Sequence, residues 1–458
     1  MAKHIKCGSL FTGLDTKAEK DQTVVIDKGM ITYTGPSAKA PKASPKDEVI
    51  DASKYFVMPG LSDVHTHLAY GNARCEEDID IYAPVEFRAL RGMFMAHRVL
   101  LAGYTNICNP GDAARVTLSI RNAINAGLFQ GPRITTSGPY LTSRQGLTDW
   151  YPTWIGQPET SIGHLIRSRD EGIEEIRYQI KDGVDVIKFA MDGDTALQPN
   201  GVSKFSGLMA SFNQDELNHY TTESHRLGKK VITHARGLEA TLYSARAGVD
   251  CIFHASYGDD ECLDEIVKRK LTICPTLTLL VNNYEFSQPT DGAGKGWADH
   301  AKIEAETAFK FLAKAHKAGV PLLTGTDSGF AITPYGEWHA KELEIYVKYL
   351  GMSEGEALRL GTSVTAGFMT DGSRLGALEA GRHADVVIFD GNPLKDISQL
   401  MDKKRFKQIL LAGEPITVET HDIDYRKVSQ FSYDMWSDMY TQDRVKELGN
   451  QIRTIAAE

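Results

Sequence analysis

From residue 57 to residue 327, short apolar runs alternate with longer polar, helix-like stretches. The runs fall at 57–67, 104–108, 132–136, 184–189, 230–234, 250–254, 271–275 and 320–327. Strands that alternate with helices predict parallel βα units. Eight such units over 58–374 predict a closed (β/α)8 barrel of the TIM type. Between the first two runs, Phe87, Leu90, Phe94, His97 and Leu101 recur at three- and four-residue spacing and predict an amphipathic helix.

The two ends of the chain read differently. Short β-rich runs at 23–27 and 29–33, a turn at Gly35-Pro36, and further runs at 384–389 and 408–413 predict a small β-sandwich domain built from 1–57 plus 375–420. Residues 421–458 read as a helical tail, amphipathic from Tyr433, that either caps the barrel or joins subunits. The segment 286–297, with Gly292, Gly294 and Gly296, reads as a mobile loop over a site.

Composition narrows the function classes. The chain has 458 residues, 42% hydrophobic and 24% charged, with a formal net charge of −9 and no long basic run. That balance argues against nucleic acid and anionic membrane as partners and leaves a small-molecule substrate. The N-terminus lacks an apolar signal core, and six scattered cysteines without a C-x-x-C pair suit reduced thiols, so a cytoplasmic protein is expected. A homo-oligomer is the expected assembly.

The chemistry lies in where unusual polar residues fall. Five of the eight runs end in a metal-competent group: His65 and His67, Lys188, His234, His254 and Asp327. Strand C-termini converge on one mouth of such a barrel. In His65-Thr66-His67 both imidazoles share a strand face, although alone the pair also suits core or surface histidines. Lys188, inside Val184-Asp-Val-Ile-Lys-Phe, would bury an ammonium at high cost unless it is modified, snorkels out, or pairs with Asp192. His234 and His254 lie one βα repeat apart and so stand on neighbouring strands. Asp327 follows an apolar strand as a ligand and proton carrier, or as a helix N-cap.

Together with Met58-Pro-Gly-Leu-Ser-Asp and Leu375-Gly-Ala-Leu-Glu-Ala-Gly-Arg-His-Ala-Asp-Val-Val-Ile-Phe-Asp-Gly-Asn-Pro, these motifs resemble the amidohydrolase superfamily over about residues 1 to 420. Within it the chain is similar to the imidazolonepropionase-like and prolidase-like branch, near the molinate and phenylurea hydrolases. The resemblance implies two divalent metal ions, with zinc foremost and cobalt, manganese or iron as alternatives. It assigns His65, His67 and Asp327 to the more buried ion and His234 and His254 to the more exposed one. N6-carboxylated Lys188 would bridge them. It further implies that a hydroxide shared by the ions attacks a substrate carbonyl while Asp327 carries the proton.

Substrate selection is expected from loops at the mouth. Tyr140, Arg144, Trp150, Tyr151 and Trp154 follow the third strand; Trp150, Tyr151 and Trp154 could wall an apolar pocket or anchor their loop to the barrel, Arg144 or Arg236 could grip a carboxylate, and Tyr257 could donate to the oxyanion. The expected reaction is hydrolysis of an amide, urea, carbamate or thiocarbamate in a small molecule, a herbicide-type xenobiotic among the candidates. The alternative is an Xaa-Pro or Xaa-Arg dipeptidase.

Overall fold

The structure, a computed structural model, describes residues 1–73, 75–193, 209–287, 297–423, 440–449 and 452–455. Four strands come first: β1 (Lys3–Phe11), β2 (Ala18–Asp27), β3 (Met30–Pro36) and β4 (Glu48–Pro59). The barrel strands β5 (Leu61–Asp63), β6 (Tyr104–Asn109) and β7 (Arg133–Thr136) follow. Two short strands, β8 (Tyr140–Thr142) and β9 (Gly163–Leu165), precede β10 (Val186–Ala190), β11 (Lys230–Ala235), β12 (Cys251–His254) and β13 (Thr272–Cys274). The chain ends with β14 (Val386–Phe389), β15 (Phe406–Leu411) and β16 (Glu414–Pro415).

The central strands pair in parallel, each followed by a helix packed outside. Their side chains are buried on both faces; all five residues of β10 are buried, as an enclosed parallel sheet requires. Two seams close the ring into a (β/α)8 barrel. At one, Asp185 N donates to Thr136 O (2.8 Å), joining β7 to β10. At the other, the extended stretch 320–328 serves as the eighth stave. Leu323 N donates to Ile273 O (2.7 Å) on one side, and Val64 N and His67 N donate to Thr324 O (2.9 Å) and Ser328 O (2.8 Å) on the other.

Both chain ends build a separate seven-stranded sheet, in the order β16-β15-β14-β4-β1-β2-β3. Its own apolar core contains Ile5, Val24, Ile26, Val57, Val386 and Ile388. Within it β1 pairs antiparallel with β2 and parallel with the central strand β4. The turn expected at Gly35-Pro36 instead falls at Lys28-Gly29, where φ is +50° and +78°. Gly35 and Pro36 still pair with β2.

The helix Val85–Leu101 forms, but its buried face differs from the expected stripe. Leu90 is 74% exposed, whereas Arg88, Gly92, Met95, Ala96 and Val99 face the barrel. Gly92 sits flat against the chain at Leu68, where an added Cβ would meet Leu68 O at 2.9 Å. Arg88 spends its charge on carbonyls, Nε donating to Ala83 O and Nη1 to Thr160 O, both at 2.8 Å. A pattern that counts only large apolar residues passes over small residues and buried guanidiniums. Phe94, from the expected stripe, instead touches His421, the ring centroids 5.1 Å apart.

The described part of the tail packs on the barrel. Trp338 Nε1 donates to Tyr440 O (2.7 Å), and the helix Gln442–Leu448 buries Val445 and Leu448. The remainder of the expected tail, and the glycine-rich segment 288–296, lie outside the described residues. No described helix is long and apolar enough to cross a membrane. All six cysteines are free, and burial pushes the thiols of Cys7, Cys75, Cys251 and Cys262 up to about 12, which leaves them poor nucleophiles.

Candidate metal centre

Register decides which side chains meet at the mouth. On adjacent parallel strands Lys188 pairs with Ile232, Ala190 with His234, and Ala235 with His254. His234 therefore stands two residues, roughly 6.6 Å, nearer the mouth than Lys188. The long lysine stem reaches up across that step. His65, His67, Lys188, His234, His254 and Asp327 are all at most 8% exposed.

The donor atoms of His65, His254 and Asp327 lie within 4.8 Å of one another. Asp327 Oδ1 is 3.3 Å from His65 Nε2 and 3.0 Å from His67 Nε2. His254 Nε2 lies 3.1 Å from His234 Nδ1. Ligand atoms around a tetrahedral zinc at Zn–N of ~2.0–2.1 Å are separated by about 3.3 Å, so these spacings fit the edges of such a shell.

Three of the four imidazoles, those of His65, His67 and His234, are oriented from behind. His65 Nδ1 meets Thr276 Oγ1 at 2.9 Å, and His67 Nδ1 meets Gly111 O at 3.3 Å. A carbonyl only accepts, so His67 Nδ1 donates to Gly111 O and its Nε2 is turned inward, toward Asp327. His234 Nε2 faces Asp192 Oδ1 at 3.3 Å, while Asp192 Oδ2 accepts from Arg236 N (2.7 Å) and Gly237 N (2.6 Å). Burial, with neighbouring positive groups, keeps His65 and His254 well below the usual imidazole range, hence neutral. Burial alone would raise the Asp327 carboxyl. The hydrogen bond from His67 and the charges of His67, Arg236 and His234 nevertheless hold it below its ordinary value.

Three of these positions carry backbone strain. His254, Thr276 and Asp327 adopt φ of +73°, +56° and +60°. For residues other than glycine this costs on the order of 1–3 kcal/mol each and is tolerated mainly at functional sites. In Thr276 the strain directs a β-branched hydroxyl onto His65.

Lys188 is fully buried, and its Nζ has no hydrogen-bond partner among the described residues. It stands 3.7 Å from the centroid of the Phe253 ring and 5.7 Å from that of Tyr140. Burial pulls its pKa down to about 7, against the pull of Asp327. A fully buried amine without a partner and with its lone pair available suits a site completed by another group.

The loop candidates divide. Tyr140 is buried at the centre, its Oη 3.1 Å from His67 Nε2. Trp150 is half-buried against the core. Trp154 is 85% exposed, because the turn closed by Ile155 N onto Pro152 O (2.8 Å) carries it outward, away from the expected wall. Arg144 is exposed in the turn that contains Gln145 at φ +67°. Arg236 is buried, and its Nη1 is engaged by Glu304 Oε1 at 2.5 Å, which Ser256 Oγ also reaches at 2.7 Å. It is therefore a neutralised pair rather than an uncommitted clamp. Tyr257 is half-buried, its phenol pushed up to about 12 by burial and then by Glu304. Replacing Arg236 with Leu should strand the Glu304 charge and destabilise the fold by ~3–5 kcal/mol. A drop in thermal midpoint, largely recovered in the Arg236→Leu/Glu304→Leu double variant, is the expected reading.

Supporting residues escaped the sequence reading. Asp63 Oδ1 accepts from His65 N (2.8 Å), and Oδ2 meets His339 Nδ1 (2.7 Å) and Thr326 Oγ1 (2.6 Å). The spacing Asp63-x-His65-x-His67 signals Asp63, since all three share a strand face. Nothing local signals His339 or Glu304, which are brought in from distant helices and loops.

A model of the amidohydrolase family matches residues 56–416. Ochratoxinase of Aspergillus niger is 27% identical over 432 residues, covering 90% of this chain and 85% of that protein. Among solved structures, an Xaa-Pro dipeptidase with bound methionine superposes with a TM-score of 0.80 at 24% identity, over 91% of this chain and 100% of that one. Molinate hydrolase superposes with a TM-score of 0.75 at 21% identity, over 91% and 94% of the respective chains. Those structural likenesses speak for the fold, and the family match speaks for the chemistry. The chain belongs to the amidohydrolase family and is a metal-dependent hydrolase.

Proposed function

We propose that this chain hydrolyses an amide, urea, carbamate or thiocarbamate bond in a small uncharged molecule, using two divalent cations, zinc foremost, and a carboxylated Lys188. The observation that carries this reading is the buried, unpartnered Lys188 amine among four imidazoles and a carboxylate at one barrel mouth. With a pKa near 7, a large share of that amine is neutral at neutral pH. Its lone pair can add to CO2, forming an N–C bond and releasing a proton, which leaves an anionic carbamate.

His65, His67 and Asp327 would hold one cation, His234 and His254 the other, and the Lys188 carbamate would bridge them. Bound there, the cations would polarise the scissile carbonyl and bring the pKa of water from ~15.7 toward ~7. Asp327 accepts the proton of the attacking water and delivers it to the leaving nitrogen or sulfur. Thr276, Gly111 and Asp192 hold the imidazoles in register for this work.

The preference for a neutral substrate rests on the two arginine candidates. Arg236 is charge-matched by Glu304, and Arg144 lies at the surface. The test is amine or thiol release from a paired panel by the zinc-loaded protein. One half holds dipeptides with free carboxylates; the other holds N-alkyl and N-aryl amides, ureas and thiocarbamates. Turnover in the neutral half is expected. Turnover confined to dipeptides would replace this reading with the dipeptidase one.

A further inference from the structure

Thr276 stands at the N-terminus of the helix Leu277–Phe286, where a threonine ordinarily acts as a cap, its hydroxyl accepting from a backbone N–H of the first turn. Here it does not. Its φ of +56° lies outside the extended region that a capping residue adopts, and its side chain makes no cap hydrogen bond. The hydroxyl lies instead 2.9 Å from His65 Nδ1, with Cys274 O as its own acceptor at 3.4 Å. The first-turn amides still need acceptors, since Leu277 and Thr278 are 0% exposed and beyond the reach of bulk water.

Glu342 supplies them from 64 residues beyond Thr278. Its Oε1 accepts from Leu277 N (3.0 Å), and its Oε2 accepts from Thr278 N and Thr278 Oγ1 (both 2.7 Å). This carboxyl group, fully buried on the helix Lys341–Leu350, faces the positive end of the helix Leu277–Phe286. Burial raises its pKa to about 7, and the bonds from Leu277 and Thr278 oppose that rise. The same short segment reaches His65 by a second route. His339 Nδ1 meets Asp63 Oδ2 at 2.7 Å, and the other oxygen of Asp63 accepts from His65 N. Residues 339–342 therefore hold the backbone of His65 through Asp63 and its ring through Thr276.

We infer that Glu342 is a positioning residue: by capping the helix Leu277–Phe286 in place of Thr276, it frees the threonine hydroxyl to hold the His65 imidazole in the candidate metal centre. This rests on the metal-binding part of the reading above and is independent of the substrate. Glu342→Gln is a fair probe of it, because a carboxyl with a pKa of about 7 is already uncharged in part of the molecules at neutral pH.

Two arms test it, both at pH 8, where the carboxyl is mostly ionised. In the first, zinc affinity is measured by competition with a chelator. Thr276→Val, which keeps the shape without the hydroxyl, should bind zinc ~10–100-fold more weakly, the usual effect of removing a group that orients a ligand. Thr276→Ser, which keeps the hydroxyl, should bind as wild type does. Glu342→Gln, left with one acceptor oxygen, should lose on the order of 10-fold. The double variant Thr276→Val/Glu342→Gln should match Thr276→Val to within about 2-fold, because both changes break one path. Unchanged affinity in Glu342→Gln, or losses that multiply in the double variant, would overturn the inference. In the second arm, metal-free Glu342→Leu is crystallised. Without the carboxylate, the Thr276 hydroxyl should turn from His65 to the amide of Thr278 or Leu279, as an ordinary N-cap does. A hydroxyl that stays on His65 would overturn the inference. Should Glu342→Leu fail to fold, the zinc cycle decides. If wild type binds no zinc, the metal-binding reading has failed, and the crystal still judges the inference.

Discussion

Lys188→Ala is expected to abolish hydrolysis, by at least ~10³-fold, and to lower the metal content of the purified protein. The size follows from the several kcal/mol of charge stabilisation that metal ions supply, at 1.36 kcal/mol per tenfold in rate. The bridging anion is lost, and four imidazoles with one carboxylate must then hold two dications against their mutual repulsion. Added short carboxylic acids, small enough to enter the space the side chain vacates, should restore part of both the metal and the rate. Lys188→Met separates this from misfolding. It fills the same buried volume without an amine to desolvate, so it should melt no lower than metal-free wild type while remaining inactive. Carboxylation itself should depend on pH. The buried amine is protonated below about 7 and neutral above it. Recovery of activity from metal-free protein with bicarbonate should therefore rise between pH 6 and 8. Full activity in Lys188→Ala would remove the bridging role.

Asp327→Asn is the second large effect. The amide keeps the shape and one donor oxygen, so most of the metal should remain, but it cannot take a proton. A loss of ~10²–10⁴-fold in kcat is expected, the usual range for a positioned acid–base group. KM should change little, since Asp327 is held by His65 and His67 rather than by loop groups that select substrate. Metal analysis beside steady-state kinetics reads both quantities, and near-normal kcat would exclude Asp327 as the proton carrier. Because Asp327 N also donates to His65 O (2.7 Å), the backbone there is fixed independently of the side chain, which keeps the variant interpretable.

How much of this was legible depends on distance along the chain. The barrel was readable because each βα unit is local: an apolar run of strand length, a polar helical stretch, and a repeat. The six metal-competent residues were readable because each ends such a run, and a barrel brings strand ends together whatever lies between them. The helix 85–101 was readable as a helix but not in its buried face. Arg88 and Gly92 look polar or featureless until the carbonyls of Ala83 and Thr160 and the close approach of Leu68 are known.

By itself, then, the sequence determined the architecture and the kind of chemistry, through local periodicity and the residue types at strand ends. Only the tertiary structure decided how those groups are tuned. It brought His339 onto Asp63 across 276 residues, Thr276 onto His65 across 211, and Glu304 onto Arg236 across 68. It also turned Trp154 to solvent and set Tyr140 against His67. Such contacts depend on which helices and loops pack together, and no local pattern encodes a partner that the chain meets only after the barrel has closed.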